Sequence, residues 1–192
     1  MSVALPPRMT DEQLFDFCQT HQDLRVERTA DGELIIMAPT GGETSDRNAA
    51  LTAMLKSWSW IDGTGVAFDS SIGFYLPNGA MRSPDAAWVR RERLSDLTKQ
   101  QRKKFLPLCP DFVVELLSPT DSLKAIQEKM QEYIDNGERL GWLIDAENRR
   151  VYAYRPNSTV EILDDLTIIS GDPELPGFVL DLNRIWNTDF EI

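Results

Sequence analysis

Apolar positions recur along this chain in three rhythms, and each predicts its own kind of element. The first is helical. Leu14, Phe15, Phe17 and Cys18 gather on one side of residues 11–21, with Thr10 as N-cap and Asp11 and Glu12 in the first turn. Ala50, Leu51, Met54, Leu55 and Trp58 repeat at helical spacing after the breaker Pro39-Thr40-Gly41-Gly42, so a second helix runs to about Ile61 and stops at Asp62-Gly63. The second rhythm is alternation. Leu24 to Arg28 and Glu33 to Met37 flank Asp31-Gly32 and read as a hairpin. Val66–Phe68 and Gly73–Leu76 read as short strands, the latter followed by a Pro77-Asn78-Gly79 turn, and Pro84–Val89 is a strand that begins at a proline.

The third rhythm is an unbroken apolar run. Asp111 to Ser118, between Pro110 and Pro119, is the strongest strand signal and reads as buried on both faces, as does Leu140 to Asp145. Between them a helix capped by Asp121 or Ser122 reaches the stop Asn136-Gly137. Arg149–Tyr154 pairs back across Glu147-Asn148, and Thr159–Leu163, Pro176–Leu180 and a short helix at Asn183–Trp186 follow. The order of elements predicts an α/β fold, a mixed central β-sheet flanked by helices. The 192 residues suit one domain with a core over about 10–186.

Composition narrows the function. A hydrophobic share of 42% supports a globular state. No apolar run approaches the roughly 20 residues of a membrane span, and MSVALPPRMTDEQ lacks the charged start and apolar stretch of a signal peptide. A cytoplasmic protein without membrane contact is expected. Cys18 and Cys109 form no CxxC pair and read as reduced thiols. His21 is the only histidine, which disfavours His-cluster and triad chemistry, and its place after the first helix suggests a helix end. The five tryptophans, Trp58, Trp60, Trp88, Trp142 and Trp186, read as core or core-edge residues. A net charge of −11 counts against a non-specific nucleic-acid coat, because phosphate repels such a surface. Against that background Arg90–Lys104 holds seven basic and two acidic side chains. It reads as a solvated helix and loop or as a phosphate-contacting edge. Residues 156–192 hold eight acids and one base, an acidic solvated end.

Two carboxylates carry the candidate chemistry. Glu115 lies between Phe112-Val113-Val114 and Leu116-Leu117, where loss of hydration costs several kcal/mol without compensation. Asp111 shares its face but is expected near solvent at the strand start. Asp85 begins an apolar strand, with Ala86 and Ala87 leaving room beside it. If the two strands are neighbours, the carboxylates approach and repel unless a cation lies between them. Oxygen donors with open water positions suit Mg²⁺ or Mn²⁺, which binds a scissile phosphate and activates water. Lys129 sits at the border of the apolar face of the following helix, roughly 90° from its centre, and its stem can run along the sheet toward Glu115. Glu43, at the start of the second helix, is either an acid favoured by the helix dipole with Arg47 as its partner or part of a metal shell. The bland alternative makes Asp85 a backbone-bonded carboxylate and Glu115–Lys129 a structural ion pair.

The strings SPDAAWV, PDFVVELLSPTDSLKAIQEKMQEYIDNGERLGWLIDAENRRVYAYRP and LPGFVLDLNRIW resemble the Uma2 family, also called DUF820, restriction-endonuclease-like proteins abundant in cyanobacteria. The resemblance runs from about Thr10 to Trp186. It implies the PD-(D/E)xK nuclease fold, with Asp85 as the motif aspartate and Glu115 as the (D/E) residue. The usual strand lysine position is Leu117; the family supplies the lysine from the next helix, and Lys129 in QEKMQEY matches it. Glu43 occupies the place of the acidic helix residue. Two functions follow as expectations. One is a metal-dependent endonuclease that hydrolyses phosphodiester bonds of nucleic acid, with DNA the expected substrate and a homodimer plausible for cutting two strands. The other is an inactive nuclease-fold binding or assembly module.

Overall fold

The computed structural model describes residues 9–189; the N-terminal stretch considered for a signal peptide lies mostly outside them. Helix α1 (Asp11–Thr20) opens with a reciprocal capping box between Thr10 and Gln13, and Leu14 is its buried anchor. His21 caps its C-terminal end, as the sequence suggests. Strands β1 (Arg25–Arg28) and β2 (Leu34–Met37) form the expected hairpin, with Arg25 opposite Met37 and Arg28 opposite Leu34. Gly32 takes the positive φ of +89° that this turn requires. The hairpin joins two short strands, β4 (Phe74–Tyr75) and β5 (Met81–Arg82), in a small sheet of order β2-β1-β5-β4. Leu14, Val26 and Met81 form its core.

The main sheet has six strands, β3 (Gly65–Asp69), β6 (Ala86–Arg90), β7 (Phe112–Leu116), β8 (Leu140–Asp145), β9 (Arg150–Tyr154) and β10 (Glu161–Asp164). Their order across the sheet is β10-β9-β8-β7-β6-β3. Only β7 and β8 run parallel, joined through helix α4 (Leu123–Asp135); every other pair is antiparallel. Both central strands are buried at every position, which explains their unbroken apolar runs.

The faces of this sheet are covered differently. Helix α2 (Gly42–Asp62) packs Leu51 and Leu55 against Ala86, Trp88, Phe112, Val114 and Trp142. The same layer takes up Phe178, the small β11 (Ile168–Ser170) and β12 (Val179–Asp181) ribbon, and helix α5 (Asn183–Trp186). On the other face α4 buries Met130 and Tyr133 against Ala87, Val113, Leu143 and Tyr152. In the basic segment only α3 (Arg91–Ser95) and a 3-10 turn at Gln101–Lys103 are helical.

Three expectations need correction. Asp111 is buried rather than near solvent: it accepts the Arg90 amide at 3.0 Å and meets the Arg93 guanidinium at 3.0 Å. Its position at a strand start suggested exposure, but two arginines of the basic segment cover it. Trp60 is 73% exposed, unlike the other four tryptophans, because it lies on the outer side of the last turn of α2. At the start of α4, Ser122 occupies the N-cap position but makes no side-chain capping bond, and Asp121 accepts the Ser118 amide instead.

Candidate active site

The site is built where β6 and β7 meet. Their antiparallel register pairs Ala87 with Val113 and Ala86 with Val114, so Asp85 and Glu115 stand opposite each other one step further on. By strand parity both side chains fall on the face that α4 covers. The Leu116 amide donates to Asp85 Oδ2 at 2.8 Å and fixes the carboxylate across the two strands. Asp85 Oδ1 takes a longer bond, 3.3 Å, from Arg25 Nη2.

Glu115 is buried and bound from above by α4. Lys129 Nζ lies 2.7 Å from Glu115 Oε1, and the Tyr133 hydroxyl donates to the same oxygen at 3.1 Å. Residues 129 and 133 are one helical turn apart, so both reach one point of the sheet. The border position of Lys129 on the helix thus turns inward. Burial pushes the Glu115 carboxyl up to about 7, with the Asp85 and Glu27 charges adding to the rise and Lys129 opposing it. Burial alone would lower the Lys129 ammonium, but the Glu115 and Glu27 carboxylates outweigh it and hold the pKa above its usual value. Burial raises the Tyr133 hydroxyl as well, which keeps it a hydrogen-bond donor.

Glu27 completes the group and is not evident in the sequence. It enters from β1, with Oε1 accepting Lys129 Nζ at 2.8 Å and the Ser83 amide at 2.9 Å, while Oε2 meets Arg82 at 3.2 Å. Arg82 also binds Glu132 of α4 at 2.6 Å. Burial opposes the Glu27 charge, yet Lys129 and Arg82 hold its carboxyl below the ordinary range. The alternation in Arg25-Val26-Glu27 is the only available signal. Its polar positions look like a solvated strand face, whereas they face Asp85 and Lys129.

A cleft of about 720 Å³ opens beside this cluster, lined by Arg25, Asp85, Glu115 and Lys129, the α2 start with Glu43 and Arg47, and the 118–121 turn. Glu43 therefore shares the cleft, but it is largely exposed and its partner is Arg47 at 3.6 Å, as its helix spacing suggests. The cations of the 90–104 segment do not line this cleft. Two of them have partners elsewhere, Arg91 donating to the Gly63 carbonyl and Lys104 to Glu12.

Asp85 and Glu115 offer hard carboxylate oxygens at a cleft. That donor set suits a Mg²⁺-like ion, which takes one or two carboxylates and completes its shell with water and phosphate oxygens. Among the described residues no group of three or more His, Cys, Asp or Glu side chains is arranged to hold a metal ion. The set fits an open site, not a closed all-protein cage.

Mixed sheet, crossover helix and the strand-borne carboxylates define a restriction-endonuclease-like α/β protein. The solved structure of a protein described as "a putative nuclease belonging to DUF820", from Anabaena variabilis, has the same fold, with a TM-score of 0.76 over 93% of this chain and 97% of that one at 18% identity. The Uma2 family, described as "Putative restriction endonuclease", matches residues 11–183, and the chain belongs to that family. No curated protein matches it. No helix among the described residues is long and apolar enough to cross a membrane.

Proposed function

We propose that this chain is a metal-dependent endonuclease that hydrolyses phosphodiester bonds of nucleic acid, with DNA as substrate. The observation that supports this reading is the convergence of Asp85, Glu115 and Lys129 on one cleft, in a chain whose family carries a nuclease description. Asp85 and Glu115 would hold Mg²⁺ or Mn²⁺. A bound ion of this kind polarises the phosphate and lowers the cost of generating the attacking hydroxide.

The chain's own residues supply the rest. The Leu116 amide fixes Asp85 beside the strand that carries Glu115. Lys129 remains charged between two carboxylates, so a fixed cation stands at the cleft wall where the phosphate gains negative charge. Its position is set before substrate arrives, which removes the cost of ordering a long side chain during reaction. Tyr133 holds Glu115 Oε1 from the buried side. Glu43 would assist from the α2 start.

One observation favours the second reading, an inactive binding or assembly module. Lys129 Nζ already has two short carboxylate contacts, the geometry of a structural ion pair. The test is cleavage of plasmid, single-stranded DNA and RNA in Mn²⁺ and in EDTA. Metal-dependent cutting supports the nuclease; intact substrates under every condition favour the module.

A further inference from the structure

The two cations at the carboxylate pair are held in different ways. Lys129 lies between Glu27 and Glu115 at 2.8 and 2.7 Å, enclosed by α4 and β1. Arg25 has a looser hold on Asp85. Its Nη2 donates to Ser83 O at 2.8 Å and to Asp85 Oδ1 at only 3.3 Å, and its side chain is 28% exposed on the cleft wall. Its Nε is buried with no acceptor among the described residues. Arg25 and Glu27 share one face of β1, and the fixed Glu27 anchors the strand that carries the freer Arg25.

Each Asp85 oxygen already accepts one donor. Oδ2 belongs to the Leu116 amide, and Oδ1 is the one Arg25 touches. An ion bound through Asp85 Oδ1 shares that oxygen with the guanidinium or takes it. A divalent ion and a guanidinium side by side repel, and a phosphate in the cleft offers the displaced arginine a bidentate acceptor.

We propose that Arg25 is an exchangeable counter-cation: it neutralises Asp85 in the metal-free protein and transfers to a substrate phosphate when a divalent ion takes Asp85. This rests on reading Asp85 as a metal ligand. It assigns Arg25 a phosphate-binding role and makes it a competitor of the metal.

Mn²⁺ titration by calorimetry and electron paramagnetic resonance, on the wild type, Arg25→Met and Arg47→Met, tests the exchange. Arg47 lines the same cleft but is held by Ile185 O and Glu43, away from Asp85, so it controls for loss of any nearby positive charge. Arg25→Met is expected to bind Mn²⁺ roughly three- to tenfold tighter, the range of one long, partly exposed hydrogen bond. Arg47→Met should stay within about twofold. A short labelled DNA duplex in Ca²⁺ should bind Arg25→Met more weakly than wild type. Mn²⁺ affinity unchanged or weakened in Arg25→Met, tightening equalled by Arg47→Met, or unchanged duplex binding overturns the exchange. If wild type binds Mn²⁺ saturably and Asp85→Asn does not, those results overturn the exchange alone. No saturable Mn²⁺ binding by wild type overturns the metal site and the exchange together. Thermal melting checks each variant, and Arg25→Gln replaces Arg25→Met if that variant does not fold.

Discussion

Lys129 Nζ lies 2.7 Å from Glu115 Oε1 and 2.8 Å from Glu27 Oε1, so one ammonium joins a helix, a central strand and the N-terminal hairpin. Removing it leaves two carboxylates buried without their shared cation. Lys129→Met is expected to lower stability by about 3–5 kcal/mol near neutral pH and, on the proposed function, to reduce cleavage by about 10²–10³-fold. Chemical denaturation and initial cleavage rates at matched folded fractions measure the two effects.

Glu27 has the opposite pH signature to its neighbours. Its carboxyl is held below the ordinary value of 4.5, so the stability it contributes is present above that value and is lost as pH falls through its lowered folded pKa. Wild type is expected to lose stability through this acid range, while Glu27→Gln starts lower and shows a shallower loss. Melting temperatures between about pH 2 and about pH 6 check this.

Glu138 is fully buried, and among the described residues neither carboxyl oxygen has a hydrogen-bond partner of ordinary geometry. Burial, with the charge of Glu115 adding to it and the Val113 amide offsetting only part, raises its pKa well above 4.5. Its neutral form therefore favours folding below the unfolded value, and that contribution is lost as pH rises toward the raised folded value. Glu138→Gln should flatten the decline in melting temperature from about pH 5 to about pH 9. An equally steep decline in the variant would show that Glu138 does not govern it.

Gly65 faces the Trp88 ring so closely that an added Cβ would lie 2.2 Å from its Cε2. Trp88 is packed between β6 and α2 and cannot withdraw easily. Gly65→Ala is expected to cost about 2–3 kcal/mol, measured by denaturant unfolding, with no effect on Mn²⁺ affinity.

The central fold is legible in the sequence because its signals are local. The apolar runs at 112–116 and 140–145 fit only buried strands, and the 123–135 helix between them has apolar residues at helical spacing. Two-residue β4 falls inside the strand expected at Gly73–Leu76, whereas β5 (Met81–Arg82) is too short to carry a period and has no sequence signal of its own. At the site, the cost of a mid-strand Glu marks Glu115 as special, and the structure does set Asp85 and Lys129 beside it. Arg25 and Glu27 escape notice for a different reason. A strand with alternating charges looks the same whether its polar face meets water or an ion-pair cluster, and only the tertiary approach of the hairpin distinguishes them. Glu138 gives no signal either, since its neighbours Gly137 and Arg139 resemble an ordinary helix-end turn.

The most direct measurement is cleavage of supercoiled plasmid and single-stranded DNA in Mn²⁺ by wild type and by Glu115→Gln, with RNA assayed in parallel. Gln keeps the shape of Glu115 while removing the charge that would hold the ion, and Lys129 retains Glu27 as its partner. Cutting by wild type that disappears in a folded Glu115→Gln is the expected result. Cutting that survives the substitution, or no cutting of DNA or RNA by wild type, contradicts a metal-dependent nuclease built on Asp85 and Glu115.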